Sequence, residues 1–297
     1  MARSDYEYPG YKRSGTVYWS KTALLYAAVT AGALWMTLPF WWTLTTSLSA
    51  TPTAATVSFI PAEFTLENFV TLWDRPDIPL VRWFLNTVLF AGAVTAFNLT
   101  FDSLAGYALA KVDFWGREKL FLGFISTMMI PGMVTLIPVY LILVELGWVN
   151  TYQGLIAPLV AQPLGIFLLR QHFKSLPSAL GDAAKIDGCN EFQTFYKIYL
   201  PLAKPALATL GIFTFMGAWN NFQWPLIIAN DTEMYTLPIA LFAVRNQYFA
   251  EWGLMMAAAL IIVAPVILVF LAAQNYFIRG MSLSGMKGSS VAAFRIR

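Results

Sequence analysis

Apolar stretches without a charged residue recur along this chain at a length that suits membrane spans. The pattern predicts six spans, at residues 22–48, 83–101 with a continuation through Ala110, 120–144, 146–169, 205–230 and 252–278. Each can hold the roughly 20 residues that a transmembrane helix needs. The chain is therefore predicted to be an all-α membrane protein, with an N-terminal segment at 1–21, a six-helix domain at 22–279 and a tail at 280–297.

Composition agrees with this pattern. The chain is 58% hydrophobic and 12% charged, whereas a soluble domain carries about 25% charged residues. The net charge of +3 does not indicate a nucleic-acid partner. Cys189 is the one cysteine, so an intrachain disulfide is excluded.

The distribution of Lys and Arg predicts the orientation of the bundle. With six crossings, both termini lie on one side, and that side carries all of the 19 basic residues except Arg75, Arg82 and Arg245. Basic residues favour the cytoplasmic side of a membrane. We expect the termini and the polar insert at 176–204 to be cytoplasmic.

The insert at 176–204 is predicted to form two short helices with a turn. Ser178 is expected to cap the first helix and Gly188 to end it in the left-handed conformation. Asn190 and Gln193 have the spacing of a capping box at the second helix. Phe192, Phe195, Tyr196 and Tyr199 then recur at spacings that predict a single aromatic face. By periodicity alone, a solvated loop and a docking segment for a partner are both open.

Several spans contain prolines. Pro131 and Pro138 either reflect ordinary packing irregularity or bend the third span around a gated path. Asp102 lies near the cytoplasmic end of the second span, where it is either a functional group or a partner of a Lys or Arg.

A gapped motif in the insert resembles a known family. Asp182-Ala183-Ala184, Gly188 and Ile198-Tyr199-Leu200-Pro201 are similar to the EAA loop of permease subunits of bacterial ABC importers, with Asp182 in place of the usual Glu. The segment from Trp219 to Leu226 resembles the family's Trp-Asn-x-Phe-x-Trp-Pro-Leu signature. The likeness covers nearly the whole chain and is closest to the second permease subunit of maltose-type carbohydrate importers.

This resemblance implies the type I ABC importer fold, with the insert as the coupling helix loop. It implies that Asp182, Ala183, Ala184, Asp187, Gly188, Leu200 and Pro201 couple the chain to an ATPase. The implied partners are a second permease subunit, two copies of the ATPase and an extracytoplasmic solute-binding protein. The implied location is the cytoplasmic membrane of a bacterium or archaeon.

The chain itself is not expected to be an enzyme. It has no phosphate-binding loop of the G-x-x-x-x-G-K-[ST] type and no catalytic or metal-ligand cluster near a span. The resemblance implies that ATP and Mg²⁺ are bound by the partner ATPase, with no cofactor in this chain.

Two further sets of residues follow from the resemblance. Aromatic faces and convergent polar groups hold sugars, so the candidates for the solute path are Trp219, Asn220, Asn221, Trp224 and Asn86. Interfacial Trp and hydrogen bonding between helices are an alternative role for them. The resemblance also implies that the outer loop at 230–252 contacts the binding protein, and a solvated loop is the alternative. The candidates for this contact are Tyr235, Arg245, Asn246, Gln247 and Tyr248.

A carbohydrate permease subunit has three alternatives. A permease subunit for glycerol-3-phosphate or another polyol derivative fits the same architecture. An ion-coupled secondary transporter usually needs buried carboxylates or ion sites near the midplane, and Asp102 is the one such candidate. A membrane-embedded enzyme lacks a plausible catalytic set. The nature of the solute stays open at this stage.

Overall fold

A computed structural model describes residues 16–50, 59–61, 63–247 and 251–285. Within these residues the regular secondary structure is helical, apart from one isolated β-bridge between Ser49 and Phe64. The helices are α1 (Thr16–Ser47), α2 (Glu67–Asp74), α3 (Leu80–Lys111), α4 (Arg117–Thr127), α5 (Gly132–Glu145), α6 (Tyr152–Ile156), α7 (Pro163–Ser175), α8 (Ala179–Ile186), α9 (Glu191–Thr194), α10 (Leu200–Leu202), α11 (Lys204–Trp219), α12 (Gln223–Ile228), α13 (Leu237–Gln247) and α14 (Trp252–Gly285).

The described residues contain enough apolar helix for the six predicted spans. Helices α1, α3 and α14 each hold a window long and apolar enough to cross a membrane alone. Three pairs pass the same test only together, because each pair is bent: α4 with α5 by 97°, α6 and its extension to Leu159 with α7 by 42°, and the helices of 191–202 with α11 by 79°.

The third span is broken at a proline. Pro131 precedes α5 with extended backbone dihedrals of φ −59° and ψ 134°. Helix α4 ends at Thr127, and the helix does not resume at Ile130, because a residue before proline is disfavoured in the helical region. Pro138 lies inside α5 without a break. The predicted bend is confirmed at Pro131, and a bend at Pro138 and a gated path stay predictions.

The fourth and fifth spans are interrupted as well. Gln162, which precedes Pro163, is extended at φ −127° and ψ 129°, and it separates the 3-10 turn Ala157–Leu159 from α7. In the fifth span α11 ends at Trp219, and α12 begins at Gln223. The predicted continuous helix over 205–230 is therefore wrong at residues 220–222.

Helix α3 is the centre of the bundle. It packs against α7 and α11, while α14 packs against α1, α2 and α11. A large buried cluster around Trp83, Phe90 and Trp219 forms the core at the end of the bundle where α3 begins, here called the outer end because it is predicted to lie outside. A second cluster around Tyr107, Phe173 and Tyr199 lies at the opposite end and includes side chains of the insert.

The ends of the predicted segments differ from the structure. Helix α1 begins at Thr16, before the predicted start at Thr22, and α14 extends to Gly285. The segment predicted as an outer loop is largely helical, with a 3-10 turn at Thr232–Met234 followed by α13. Leu237 and Ile239 of α13 are buried in the outer core, so this segment is packed rather than solvated.

Candidate functional site

The turn of the insert is a Schellman motif centred on Gly188. Gly188 has a φ of +79°, a conformation that costs other residues because of their Cβ. Its N–H donates to the Lys185 carbonyl at 3.0 Å, and the Cys189 N–H donates to the Ala184 carbonyl at 2.9 Å. These two bonds satisfy carbonyls at the end of α8. The predicted left-handed end of the helix is confirmed.

The second helix of the insert begins with the predicted capping box. The Gln193 N–H donates to Asn190 Oδ1 at 2.8 Å, and the Asn190 N–H donates to Gln193 Oε1 at 3.0 Å. Ser178 stands at the N-cap position of α8, but its side chain makes no capping bond and its backbone is already helical. Capping by Ser178 was therefore a wrong prediction.

The four aromatic residues of the insert do not share one face. Phe195 and Tyr199 are buried against Tyr107 and Phe173, whereas Phe192 and Tyr196 are 66% and 62% exposed. The chain forms a π-helix over Phe195–Tyr199, which changes the helical register at this point. The predicted single face is split into a buried pair and an exposed pair.

The insert is tied to the end of α3 by polar contacts. Tyr107 donates to Glu191 Oε2 at 3.1 Å, and Lys185 Nζ lies 2.9 Å from Glu191 Oε1. Lys111 Nζ donates to the Leu176 carbonyl at 2.6 Å. The hydrogen bond from Lys185 lowers the pKa of Glu191, and the same bond raises the pKa of Lys185. Both helices of the insert are thereby held against α3.

Most of the predicted coupling residues face away from this attachment. The exposed ones are Asp182, Ala183, Asp187, Gly188 and Pro201. Ala184 is buried, and Leu200 packs on the second cluster, around Tyr107, Phe173 and Tyr199. Ile186 is 87% exposed beside the exposed ones. The insert thus exposes these coupling residues together with the apolar side chains of Ile186, Phe192 and Tyr196, and this set is here called the insert face.

A cavity of about 380 Å³ lies where the three broken spans meet. One wall comes from the start of α5, one from the break of the fourth span, and one from the break between α11 and α12. The lining residues are Gly132, Thr135, Leu136, Val139, Pro158, Leu159, Gln162, Asn221, Gln223 and Trp224. All of them are uncharged, so the cavity combines apolar surface with amide and hydroxyl groups.

The break of the fourth span is braced by two polar side chains of α3. Asn98 Nδ2 donates to the Leu159 carbonyl at 2.5 Å, and the Gln162 N–H donates to Asp102 Oδ1 at 3.0 Å. These backbone groups are the ones that the break leaves without helical partners. Asp102 is fully buried. Among the described residues Asp102 has no Lys or Arg partner, so the predicted ion pair is not found there, and its Oδ1 accepts from this backbone amide instead.

The five candidates for the solute path divide into two groups. Asn221 and Trp224 line the cavity. Asn220 is exposed and donates to the Met216 carbonyl of its own helix. Trp219 is buried and donates to the Ile262 carbonyl at 3.1 Å, next to Phe84 and Phe215.

Asn86, the fifth path candidate, holds the outer segment. Its Nδ2 donates to the carbonyls of Glu233 and Tyr235 at 2.7 and 2.9 Å, and its Oδ1 accepts from the Tyr152 hydroxyl at 2.6 Å. Both of its amide protons and one of the two lone pairs of its oxygen are thus used by protein groups. Trp83 Nε1 donates to the Thr232 carbonyl, and Thr87 Oγ1 accepts from the Leu237 N–H, so the outer end of α3 holds this segment.

The candidates for binding-protein contact lie along the same segment. Tyr235 follows the 3-10 turn and is partly buried in the outer core. Arg245 is exposed on α13, and Asn246 and Gln247 end that helix. Tyr248 lies outside the described residues.

Sequence reasoning did not select three polar residues of the cavity, Thr135, Gln162 and Gln223. One local signal was available: Gln162 directly precedes a proline, and Gln223 stands two residues before one. Polar residues beside a proline inside an apolar span mark places where the helix can break and expose its backbone.

Comparisons with known proteins agree with the arrangement of the helices. The family model of the binding-protein-dependent transport system inner membrane component matches residues 102–283. The arabinooligosaccharides transport system permease protein AraQ of Halalkalibacterium halodurans is 37% identical over 233 residues, covering 78% of this chain and 83% of that protein. The trehalose/maltose transport system permease protein MalG of Thermococcus litoralis is 31% identical over 271 residues, covering 90% and 98%.

A solved structure has the same fold. One chain of a bacterial ABC transporter involved in the import of the acidic polysaccharide alginate superposes with a TM-score of 0.78. The match covers 91% of this chain and 100% of that chain, at 24% sequence identity.

Proposed function

The chain belongs to the family of binding-protein-dependent transport system inner membrane components, and from this premise we propose that it imports carbohydrate as one of two permease subunits in an ATP-driven complex. The single observation that carries this function is the family match over most of the bundle together with its insert. The curated relatives are named for arabinooligosaccharides and for trehalose and maltose, which supports a sugar or oligosaccharide as the solute.

The proposed docking site for the ATPase is the insert face. Its exposed apolar side chains, Ile186, Phe192 and Tyr196, would fill a groove of the partner, as in helix-in-groove recognition. The Schellman turn at Gly188 and the contacts of Glu191 with Tyr107 support a rigid insert. A rigid connection to α3 would pass motion of the ATPase to the cavity.

The remaining partners are part of the same proposal. A second permease would complete the translocation path, two copies of the ATPase would hold ATP and Mg²⁺, and an extracytoplasmic binding protein would deliver the solute near Tyr235 and Arg245. Hydrolysis would take place on the ATPase alone. The insert and both termini would lie in the cytoplasm of a bacterium or archaeon, since they carry most of the basic residues.

Affinity purification of the tagged chain from its native membranes tests this function. We expect mass spectrometry to find a second permease and an ATPase with a phosphate-binding loop. Ile186→Asp should remove the ATPase and retain the second permease, because a charge replaces the exposed apolar side chain. Ile186→Val is the matched control and should retain both.

A chain that purifies alone and moves solute on an ion gradient would contradict the proposed function. Retention of the ATPase by Ile186→Asp would contradict the docking site but leave the importer in place.

A further inference from the structure

We propose that the cavity at the three helix breaks is a binding subsite for an uncharged saccharide within this subunit. This inference rests on the proposed function, and it adds that the chain itself contacts the solute and selects against anionic ones. The observation behind it is the chemistry of the lining, which is polar, partly aromatic and uncharged.

The size and composition of the cavity suit a small polar ligand. Its volume of about 380 Å³ falls within the roughly 300–1,000 Å³ of small-molecule sites. Such sites place a few polar groups among apolar walls. Here Gln162, Gln223 and Asn221 supply the polar groups, and Trp224 supplies an aromatic ring.

Some of these groups remain available for a ligand. The Gln162 backbone N–H is bonded to Asp102, but its side-chain amide makes no hydrogen bond with the described residues. Asn221 uses its Oδ1 to accept from the Trp224 N–H at 3.2 Å, so its Nδ2 protons are available to donate. Amides both donate and accept, as the hydroxyls of a sugar do.

The ring of Trp224 is held in place by the protein. Its Nε1 donates to the Leu155 carbonyl at 3.0 Å, which joins the fifth span to the fourth. Since this bond already orients the indole, stacking of a sugar against the ring would require little further ordering. The aromatic wall is therefore pre-organised.

The charges around the cavity disfavour an anion. A buried carboxylate or phosphate needs a cationic partner or several donors to offset its desolvation. None of the lining side chains is basic. The ionisable side chain bonded to the wall is a carboxyl group and not a base: Asp102 Oδ1 accepts from the Gln162 N–H behind the lining. Uronate and phosphate groups thus lack a counter-ion, whereas neutral hydroxyls find matching amides.

Protection of a cysteine in the cavity tests the subsite. Thr135→Cys would be introduced with Cys189→Ala and labelled by a maleimide in the importer purified with its partners. The Thr135 hydroxyl bonds the Gly132 carbonyl of its own helix, so this change removes no group from the proposed ligand contacts. Gln153→Cys is the control, because Gln153 is exposed in α6, at the outer end of the fourth span.

The probes are maltotriose, arabinotriose and raffinose as neutral saccharides, and a guluronate trisaccharide and glycerol-3-phosphate as anions. We expect a neutral saccharide to slow labelling at position 135 but not at position 153, and the anions to have no effect at either. Gln162→Leu should raise the half-protecting concentration about two- to tenfold, as loss of one neutral hydrogen bond predicts. Gln153→Leu should leave it unchanged.

Two results would overturn the inference. One is slower labelling at position 135 with an anionic probe. The other is ATP-driven transport of a neutral saccharide with no protection at position 135. Copurification of the ATPase and ATP-driven transport are measured on the same preparation, so a failure of the importer function is seen separately from a failure of the subsite.

Discussion

At the scale of single residues, Gly188 shows how one backbone conformation shapes the insert. Its φ of +79° closes α8, and an added Cβ would meet no atom within 4 Å. Gly188→Val should therefore act through backbone strain alone, of about 1–2 kcal/mol for the left-handed conformation. We expect faster hydrogen exchange of the amides at 184–189 and lower transport, with membrane insertion unchanged.

Gly188→Asn is the matched control, because Asn tolerates the left-handed region better than other residues. It should keep slow exchange and transport near those of the unaltered chain. Equal effects of Asn and Val would mean that the strain is not the cause.

At Gly165 the constraint is steric rather than conformational, because a larger side chain has no room there. A Cβ there would overlap the carboxylate of Asp102, the side chain that holds the break of the fourth span. Gly165→Ala should lower the stability of the purified complex by about 1–3 kcal/mol, as overpacking of a tight interior does. The measurement is the midpoint of thermal unfolding in detergent.

Gly92→Ala serves as the control on α3, since its Cβ would meet open space. It should leave the midpoint unchanged or slightly higher. A Gly165→Ala variant with an unchanged midpoint would show that α3 and α7 can move apart at little cost.

At the scale of elements, α3 connects three regions that the chain separates. Its inner end holds the insert through Tyr107 and Lys111, its middle braces the fourth span, and its outer end holds the turn at 232–234. Since α3 is an unbroken helix of 32 residues, a displacement of the insert would also move the cavity wall and the outer segment, which is the turn at 232–234 with α13.

Removal of one tie at the outer end tests this role. Asn86→Ala removes the donor to two partly buried carbonyls and the acceptor of the Tyr152 hydroxyl, a loss of roughly 1–3 kcal/mol for each group that stays unsatisfied. We expect faster hydrogen exchange at 232–240. Asn220→Ala, which removes a bond within one exposed helix, should not change exchange there, and protection of 232–240 in Asn86→Ala would contradict the tie.

At the scale of the whole molecule, the basic residues predict a definite orientation. Cys189 lies in the insert at intermediate exposure and is a native reporter of that side. A membrane-impermeant thiol reagent should label Cys189 in inside-out vesicles and not in right-side-out vesicles. Glu67→Cys with Cys189→Ala reports the opposite side, because Glu67 is exposed at the start of α2.

The opposite labelling pattern for both reporters would mean that the bundle has the reverse orientation in the membrane. Labelling of both from one side would mean an even number of crossings between them, and the assignment of the bent pairs as single spans would be wrong.

Features that depend on neighbours in the chain were predictable from the sequence. The apolar windows determine the spans, because a span is set by about 20 consecutive residues. Gly188 and the pair of Asn190 and Gln193 determine the turn and cap of the insert, since those bonds join residues at most five positions apart. The gapped motif around Asp182 was likewise enough to indicate the family.

Only the tertiary structure decided which side chains meet across the bundle. Phe195 and Tyr199 are buried and Phe192 and Tyr196 exposed because Tyr107 and Phe173 lie on one side of the π-helix. Gln162 and Asn221 share a cavity because two distant breaks lie side by side. Contacts of this kind depend on how the helices pack. The spacing of residues along the chain does not determine which helix each face will contact.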